Sequence, residues 1–112
     1  MRLGQLRHLI RIEEEVVPRD PITLEFGEPV WQLFAEVYAK KSPLSARDLI
    51  AAKAVQSEAS GRFQIRYLEG VLPTMRIVYG GEIYSIEGPP LEDDDSGLQY
   101  LTILYSKGVK DG

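Results

Sequence analysis

Residues 62–86, RFQIRYLEGVLPTMRIVYGGEIYSI, decide the fold. Apolar and polar side chains alternate along this segment, a pattern typical of β-strands with one buried face and one solvated face. The apolar positions of the first two runs are Phe63, Ile65 and Tyr67, followed by Met75, Ile77 and Tyr79. The alternation resumes at Ile83, so the segment predicts three strands.

Two turns separate these runs. Gly80-Gly81 supplies the positive φ angles of a two-residue hairpin, and residues 68–74 predict a longer turn. We therefore expect three adjacent antiparallel strands, a meander. Its solvated faces carry Arg62, Arg66 and Arg76, and no catalytic side chain stands out in it.

The rest of the chain predicts three further strands and one helix. The same alternation appears in residues 5–13, 30–40 and 98–105. A helix is expected from Ser45 to about Gln56, because Ser45 is a favourable N-cap and apolar residues follow it at helical spacing.

These elements predict a mainly β protein, with residues 1–112 forming one domain. The expected architecture is a small antiparallel β-barrel of about six strands, with one short α-helix after the second strand and two long loops, residues 17–29 and 88–97. Closure into a barrel removes exposed strand edges. The predicted core contains Ile10, Ile12, Trp31, Leu33, Ala35, Val37, Ile65, Met75, Ile77, Ile83, Ile86, Leu101 and Ile103.

Composition excludes several classes of site. The 112 residues include no cysteine and one histidine, so neither a disulfide nor a Cys- or His-based metal site is expected. The net charge of −4 argues against a protein that grips nucleic acid by its phosphates. No stretch approaches the roughly 20 apolar residues of a membrane span, and the N-terminal residues lack the apolar run of a signal peptide. We expect no membrane association.

The acidic runs and the histidine do not predict chemistry. The runs at residues 13–15 and 93–95 lack the spacing of a calcium loop, and we interpret them as solvated faces. His8 lies in an alternating strand with no nucleophile near it in sequence, so we interpret it as structural. The sequence therefore predicts neither an enzyme nor a bound cofactor.

Aromatic and basic side chains are the better candidates for contacts. Tyr38, Tyr84 and Tyr100 are out of phase with the apolar faces of their strands, and we expect them to be partly exposed. Trp31 fits a buried strand face better than an interface. The three arginines of the predicted meander have two interpretations, a DNA channel lining or cross-strand ion pairs with glutamates.

The chain resembles the head–tail joining proteins of tailed bacteriophages, also called head closure or stopper proteins. The resemblance rests on Arg66-Tyr67, on Met75-Arg76-Ile77 and on Tyr84-Ser85-Ile86. The N-terminal residues 1–8, MRLGQLRH, resemble the family's opening strand, and Trp31 with Ala35 resembles its Trp-x-x-x-Ala strand. The resemblance covers nearly the whole chain in the family's order. The first loop departs from the family because it is rich in proline rather than threonine.

The resemblance implies a structural protein of the virion, assembled in the cytoplasm of the bacterial host. Copies of such a protein form a ring at the head–tail interface, between the portal with its adaptor and the tail, and close the DNA-filled head. The implied partners are other copies of the chain, the portal or adaptor ring and the tail proteins. DNA is expected only as a non-specific passenger through the channel.

The two long loops are the candidate functional segments. Ile22, Leu24 and Phe26 alternate in the first loop and are candidates for contacts with a partner or a ring neighbour. Glu92, Asp93, Asp94 and Asp95 in the second loop are candidates for a channel-facing or gating segment, because negative charge lets DNA pass without binding.

A second hypothesis remains open from the residues alone. The chain could be a small monomeric β-barrel adaptor domain that binds a peptide or a protein partner. Neighbouring genes for a portal, a capsid protein and a tail protein would favour the virion protein, whereas an isolated regulatory locus would favour the adaptor.

Overall fold

Seven strands and one helix make up the computed structural model, which describes residues 6–54, 59–93 and 97–107. The elements in chain order are β1 (His8–Val16), β2 (Val30–Ser42), α1 (Ala46–Ala54), β3 (Gly61–Arg66), β4 (Arg76–Tyr79), β5 (Glu82–Ile86), β6 (Leu91–Asp93) and β7 (Gly97–Lys107). The predicted helix extended to Gln56, and its last two residues lie outside the described part of the chain.

Six of the strands close into an antiparallel barrel. The order around the barrel is β3-β2-β1-β4-β5-β7, and pairing between β3 and β7 closes it. Among the described strands, β6 pairs only with β7, and it lies outside the barrel. The prediction of a mainly β, six-stranded barrel with one short helix is therefore confirmed.

The predicted three-stranded meander is wrong in one respect. The hairpin of β4 and β5 around Gly80-Gly81 forms as expected, but β3 pairs with β2 and β7 and not with β4. Residues 67–75 must therefore cross one end of the barrel to connect two strands that are not neighbours. Val71 and Met75 in this crossing are buried, and Leu68 packs against the core. Burial of these apolar side chains explains why the segment crosses the barrel instead of making a local turn.

The barrel interior is filled by side chains from all six strands. Tyr84, Phe63, Ile10, Ile12, Ile65, Ile77 and Ile103 are the largest fully buried ones. The Phe63 ring packs edge-on against the Tyr84 ring at 5.5 Å and lies 4.9 Å from the Tyr105 ring. Such aromatic pairs contribute beyond their buried area. Gly61 is buried beside them, and a Cβ atom at that position would collide with the Tyr105 ring.

A β-bulge overturns part of the predicted core. Ile12 pairs with Ala35 but Glu13 pairs with Leu33, so Phe34 is the extra residue on β2. An extra residue reverses the side-chain alternation beyond it. Leu33 consequently lies on the same face as Glu13 and is 49% exposed, while Phe34 packs against the core. Trp31, also predicted to be buried in the core, is only partly buried for the same reason.

Three other predicted core residues are only partly buried, namely Ala35, Val37 and Ile83. Ile83 points away from the barrel interior because the two-residue turn pairs Ile77 with Tyr84, which places Tyr84 on the buried face of β5 instead.

Beyond the bulge, β1 and β2 continue as a two-stranded arm. Strand β4 last pairs with β1 at Glu13, whereas β1 and β2 remain paired to Val16 and Val30. The arm and the loop at its tip project from one end of the barrel, and α1 and the β4–β5 turn lie at the other end. The molecule measures 50 × 30 × 27 Å, and we attribute much of its long dimension to the arm.

Candidate functional site

The tip of the arm, residues 17–29, is held together by its own hydrogen bonds. The Asp20 carboxylate accepts from the backbone N–H groups of Ile22 (2.7 Å) and Thr23 (3.1 Å), and these bonds lower the pKa of Asp20 below its usual value. Arg19 Nε donates to the Leu24 carbonyl at 3.0 Å, and backbone bonds join Asp20 to Leu24 and to Glu25. The tip is therefore a defined turn that presents its side chains in fixed directions.

Those side chains are apolar and solvent-exposed. Ile22 is 88% exposed, Phe26 69% and Leu24 56%. The Arg19 guanidinium carbon lies 5.2 Å from the centroid of the Phe26 ring, which supports the ring without covering it. Three large apolar side chains grouped at the end of a projection are characteristic of a contact surface.

Leu24 has an unfavourable backbone conformation. Its φ angle is +64°, and it is the one non-glycine residue with positive φ among those described. The left-handed region costs a residue with a Cβ roughly 1–2 kcal/mol and is rare for bulky side chains. Strain of this kind is concentrated at functional positions. The conformation points the Leu24 side chain into solvent, where it contributes little to folding.

A cluster of charged and aromatic side chains stiffens the root of the arm. Arg76 Nε donates to Glu13 Oε1 at 2.8 Å, and both side chains are about one-eighth exposed. The Arg76 guanidinium carbon lies 4.3 Å from the centroid of the Trp31 ring. Arg11 approaches Glu13 from the solvent side at 3.6 Å. The cluster ties β4 of the barrel to both strands of the arm.

An apolar groove of about 440 Å³ lies on the flank of β2, beside the end of β3. Its lining residues are Leu6, Val37, Tyr38, Arg66, Tyr67 and Leu68. Tyr38 is 58% exposed, as predicted, and Arg66 is also exposed. The volume falls within the range of protein clefts that bind small-molecule ligands, roughly 300–1,000 Å³.

The three predicted contact arginines separate into two kinds. Arg62 Nη1 donates to the buried Asp48 carboxylate at 2.9 Å, and Arg76 is paired with Glu13. Both are partly buried in ion pairs, so the prediction that they are exposed contacts is wrong, and the cross-strand alternative describes Arg76. Arg66 remains at the surface.

Two of the predicted exposed tyrosines are buried. Tyr84 is 2% exposed and Tyr100 is 8% exposed. Tyr84 faces the barrel interior because the hairpin register sets it opposite Ile77. Its hydroxyl reaches the barrel end, where it meets Lys41 Nζ at 3.3 Å and donates to Glu82 Oε2 at 3.2 Å. Tyr84 therefore belongs to the barrel core, whereas Tyr100 is outside that cluster and lines the polar cleft with Asp48.

The predicted acidic loop contains a short strand. Residues 91–93 form β6, and Glu92 pairs with Leu101 of β7. Glu92 is exposed and lines a polar cleft with Asp48, Arg47 and Arg62. Asp93 belongs to β6, while Asp94 and Asp95 lie outside the described residues. The prediction of a loop over residues 88–97 is therefore wrong for residues 91–93, which form a strand.

An exposed ion pair lies at the end of the barrel opposite the arm. Lys107 Nζ lies 2.9 Å from Glu82 Oε2. The hydrogen bond from Lys107, with a second from the Tyr84 hydroxyl, lowers the pKa of Glu82, and the bond to Glu82 raises the pKa of Lys107. His8 Nδ1 and the Tyr79 hydroxyl form a 2.6 Å hydrogen bond near this end.

The described residues contain neither a metal-binding cluster nor a membrane-spanning helix. Within residues 6–54, 59–93 and 97–107, no three His, Cys, Asp or Glu side chains are grouped to hold a metal ion. No helix in the described part of the chain combines the length and apolar character that a membrane span requires.

The barrel, its arm and the groove define a small β-protein whose surface features suit protein contacts. Residues 1–108 match the family model described as phage head completion protein. The chain therefore belongs to the phage head completion protein family, and its role is that of a structural component of the phage head. The resemblance found in the sequence is confirmed.

Two solved structures share the fold. The solution structure of protein SF1141 from Shigella flexneri 2a has a TM-score of 0.74 at 29% identity, with 98% of this chain and 99% of that chain covered. A chain in the virion of a native gene transfer agent particle has a TM-score of 0.58 at 20% identity, with 93% and 96% covered. No match was found among curated proteins.

Sequence reasoning missed the groove and the buried Asp48. The groove brings together Leu6, Tyr38 and Tyr67, which are far apart in sequence, so no local pattern reveals it. Asp48 does carry a local signal. Ser45 and Asp48 form reciprocal side-chain to backbone hydrogen bonds of 3.0 and 3.2 Å, and Ser-x-x-Asp before a helix resembles a capping box.

Proposed function

We propose that copies of this chain form a ring at the head–tail interface, between the portal or adaptor ring and the tail, that closes the DNA-filled head. The observation that carries the proposal is the projecting arm, whose defined tip exposes Ile22, Leu24 and Phe26. In a head completion protein, an apolar projection of this kind supports a function in contact with neighbouring proteins.

Along its closed wall, the barrel favours assembly through side-chain contacts rather than through strand addition. Six strands close on themselves around the barrel, so in the described residues unpaired edges remain on the short β6 and along the arm, where β1 beyond Glu13 and β2 before Ala39 lack a second neighbour. An exposed strand edge can recruit another chain by backbone hydrogen bonds. When each copy contacts the next through two different patches, the copies form a ring if the rotation that relates neighbouring copies closes after a full turn. The arm and the barrel flank are two such patches.

A structural neighbour supports placement in an assembled particle. The similar chain in the gene transfer agent virion is a component of that particle, and the two chains correspond over almost their full lengths. We extend this placement to the present chain as part of the proposal. The portal, the adaptor and the tail proteins are the partners that a ring at this interface would contact, and the chain would act there without catalysing a reaction.

The acidic residues Glu92 to Asp95 are proposed to face the ring channel or its gate. The exposed Glu92 carboxylate and the net charge of −4 support this arrangement. Phosphates bind to a protein surface when cations neutralise them, so a negatively charged lumen lets DNA pass without holding it.

Electron microscopy of particles from a host that carries an amber mutation in this gene tests the proposal. Without the protein, we expect heads that fail to keep their DNA or to acquire tails, and the wild-type chain supplied in trans should restore both. Tailed, DNA-filled particles assembled without the protein would contradict the proposal.

Matched variants separate the tip from general surface effects. Phe26→Asp places a charge on the exposed tip, and Ile50→Asp places one on helix α1, where Ile50 is 71% exposed. Both variants should fold, because both side chains are in solvent. We expect only Phe26→Asp to fail in complementation. Equal infectivity of the two variants would count against a contact role for the tip.

A further inference from the structure

We propose that the tip of the arm of one copy docks in the apolar groove of the next copy, and this inference rests on the proposed ring. The ligand of the groove is then the Ile22, Leu24 and Phe26 surface of a second copy. The two patches are different, so each copy offers a tip on one side and a groove on the other. Such a contact between unlike surfaces is a heterologous interface.

The two surfaces are complementary in polarity. The groove offers Leu6, Val37 and Leu68 at its base and the tyrosines Tyr38 and Tyr67 at its rim. Tyrosine is enriched at interfaces because it combines a large apolar area with a polar end. The exposed apolar side chains of the tip supply the matching surface.

The charges around the two surfaces are opposite in sign. The tip carries three exposed acidic side chains, Asp20, Glu25 and Glu28, against one exposed basic side chain, Arg19, so its net charge is negative. Arg66 lies on the rim of the groove, is exposed, and forms no ion pair with any described residue. Opposite potentials of this kind fix the register of a contact and disfavour wrong partners.

The tip of a given copy is held away from its own groove. Leu9, which pairs with Tyr38 at the groove, is seven residues from Val16 at the base of the tip, or about 23 Å along β1. Paired strands and the Arg76–Glu13–Trp31 cluster keep the arm extended over this length. Internal hydrogen bonds also keep the tip from unfolding toward the barrel. A neighbouring copy is therefore the source of the docked tip.

The strained backbone of Leu24 supports a contact role for its side chain. A glycine would relieve the positive φ angle, and the exposed leucine gains almost nothing from packing within its own copy. A leucine at such a position has a physical advantage when a neighbour buries it. This argument is independent of the charge complementarity.

Cysteine cross-linking in assembled particles tests the inference directly, because the chain contains no native cysteine. Two single-cysteine chains, Ile22→Cys and Tyr38→Cys, are supplied together to complement the amber mutant. Since neither chain carries both cysteines, a disulfide between positions 22 and 38 can form only between copies. We expect this disulfide to be the main cross-linked product when particles are oxidised and analysed by mass spectrometry.

Pairing Ile22→Cys with Lys53→Cys provides the control, because Lys53 is exposed on helix α1 at the other end of the barrel. Position 53 should give at least about tenfold less product. A disulfide mainly between two copies of position 22, or between position 22 and another particle protein, would overturn the inference.

An amine cross-linker applied to the same particles distinguishes this inference from the ring itself. Copies joined by the amine reagent but not between positions 22 and 38 would overturn tip-to-groove docking and leave the ring intact. Particles in which no reagent joins two copies would overturn both.

Two further variants, each introduced into the same pair of cysteine chains, separate contact from folding. Leu24→Gly should leave the melting temperature unchanged or raised, because it relieves the left-handed backbone, while the yield of the 22–38 disulfide should fall about tenfold through loss of a buried anchor. Arg66→Glu should also reduce the yield about tenfold, and Arg66→Lys should retain it. Undiminished yields in both Leu24→Gly and Arg66→Glu would overturn the inference.

Discussion

The guanidinium carbon of Arg76 lies 4.3 Å from the centroid of the Trp31 ring, while Arg76 Nε donates to Glu13 at 2.8 Å. One side chain of β4 therefore contacts both strands of the arm at the point where the arm leaves the barrel. Cation–π attraction and a charge-assisted hydrogen bond act on the same guanidinium. The arm is rigid at its root for this reason, which allows its tip to hold a fixed position.

Replacement of this guanidinium should destabilise the protein. We expect Arg76→Ala to lower the free energy of unfolding by roughly 1.5–3 kcal/mol, because Glu13 loses a charged hydrogen bond in a mostly desolvated site. Urea denaturation measures the change, and Trp31, the one tryptophan, reports the root by its fluorescence. The control is Arg11→Ala, whose side chain is 51% exposed and should cost less than about 1 kcal/mol. Equal losses of unfolding free energy in the two variants would contradict the stabilising contribution of the Arg76–Glu13–Trp31 cluster.

Truncation in the barrel interior should have a larger effect than truncation at the tip. Ile77 is fully buried, and Ile77→Ala should cost roughly 2–5 kcal/mol through lost burial and a cavity. Ile22→Ala removes the same atoms from an 88% exposed side chain and should change stability by less than about 0.5 kcal/mol. Paired urea titrations compare the two variants. If Ile77→Ala lowered the free energy of unfolding as little as Ile22→Ala, Ile77 would not face the barrel interior and the strand phase would be refuted.

Stability should depend on pH through the Glu82–Lys107 pair. The folded-state pKa of Glu82 is lowered from 4.5, so its contribution is present above pH 4.5 and is lost as the pH falls through the folded pKa. The pKa of Lys107 is raised from 10.5, so its contribution is present below pH 10.5 and is lost as the pH rises through the folded value.

Melting temperatures between pH 2 and 6 check the acid side of this dependence. Glu82→Gln should give a flatter profile than the wild type, and Lys107→Met should flatten the same region because it removes the first cause of the Glu82 shift. The effect should be small, since both side chains are more than half exposed, and it should weaken further in high salt. Unchanged profiles in both variants would show that the pair does not form in solution.

Neutralisation of the acidic segment tests the proposed channel role. Asp93, Asp94 and Asp95 changed together to Asn should alter the free energy of unfolding by no more than about 0.5 kcal/mol, the range of surface substitutions. In complementation, the same variant should impair DNA retention or release, because the charge that repels phosphates is gone. Wild-type plaque numbers would rule out the gating role while leaving the family assignment unaffected.

Local patterns in the sequence were sufficient for much of this structure. Alternation located the barrel strands, Ser45 marked the start of the helix, and Gly80-Gly81 located a tight turn. The same turn also determined the position of Tyr84, because a two-residue hairpin that pairs Tyr79 with Glu82 must set Tyr84 opposite Ile77. Taken alone, the apolar Ile83 indicates the opposite strand phase and an exposed Tyr84, but the register of the turn decides the phase.

The family resemblance was also accessible from the sequence. Short motifs around Arg66, Arg76 and Tyr84 carried it, and the match over residues 1–108 confirmed it. The alternation of Ile22, Leu24 and Phe26 was visible for the same reason, since it depends on neighbouring residues alone. Their exposure was shown by the structure.

What depends on contacts between distant residues was decided only by the tertiary structure. Pairing of β3 with β7 closes the barrel across nearly 40 positions of sequence, and the bulge at Phe34 appears only when β2 is set against β1. Arg62 and Arg66 lie four residues apart with the same local pattern, yet one is paired with a buried carboxylate and the other is exposed at the groove. Alternation specifies on which face of the sheet a side chain lies. Its contact partner depends on which strand becomes its neighbour when the barrel closes.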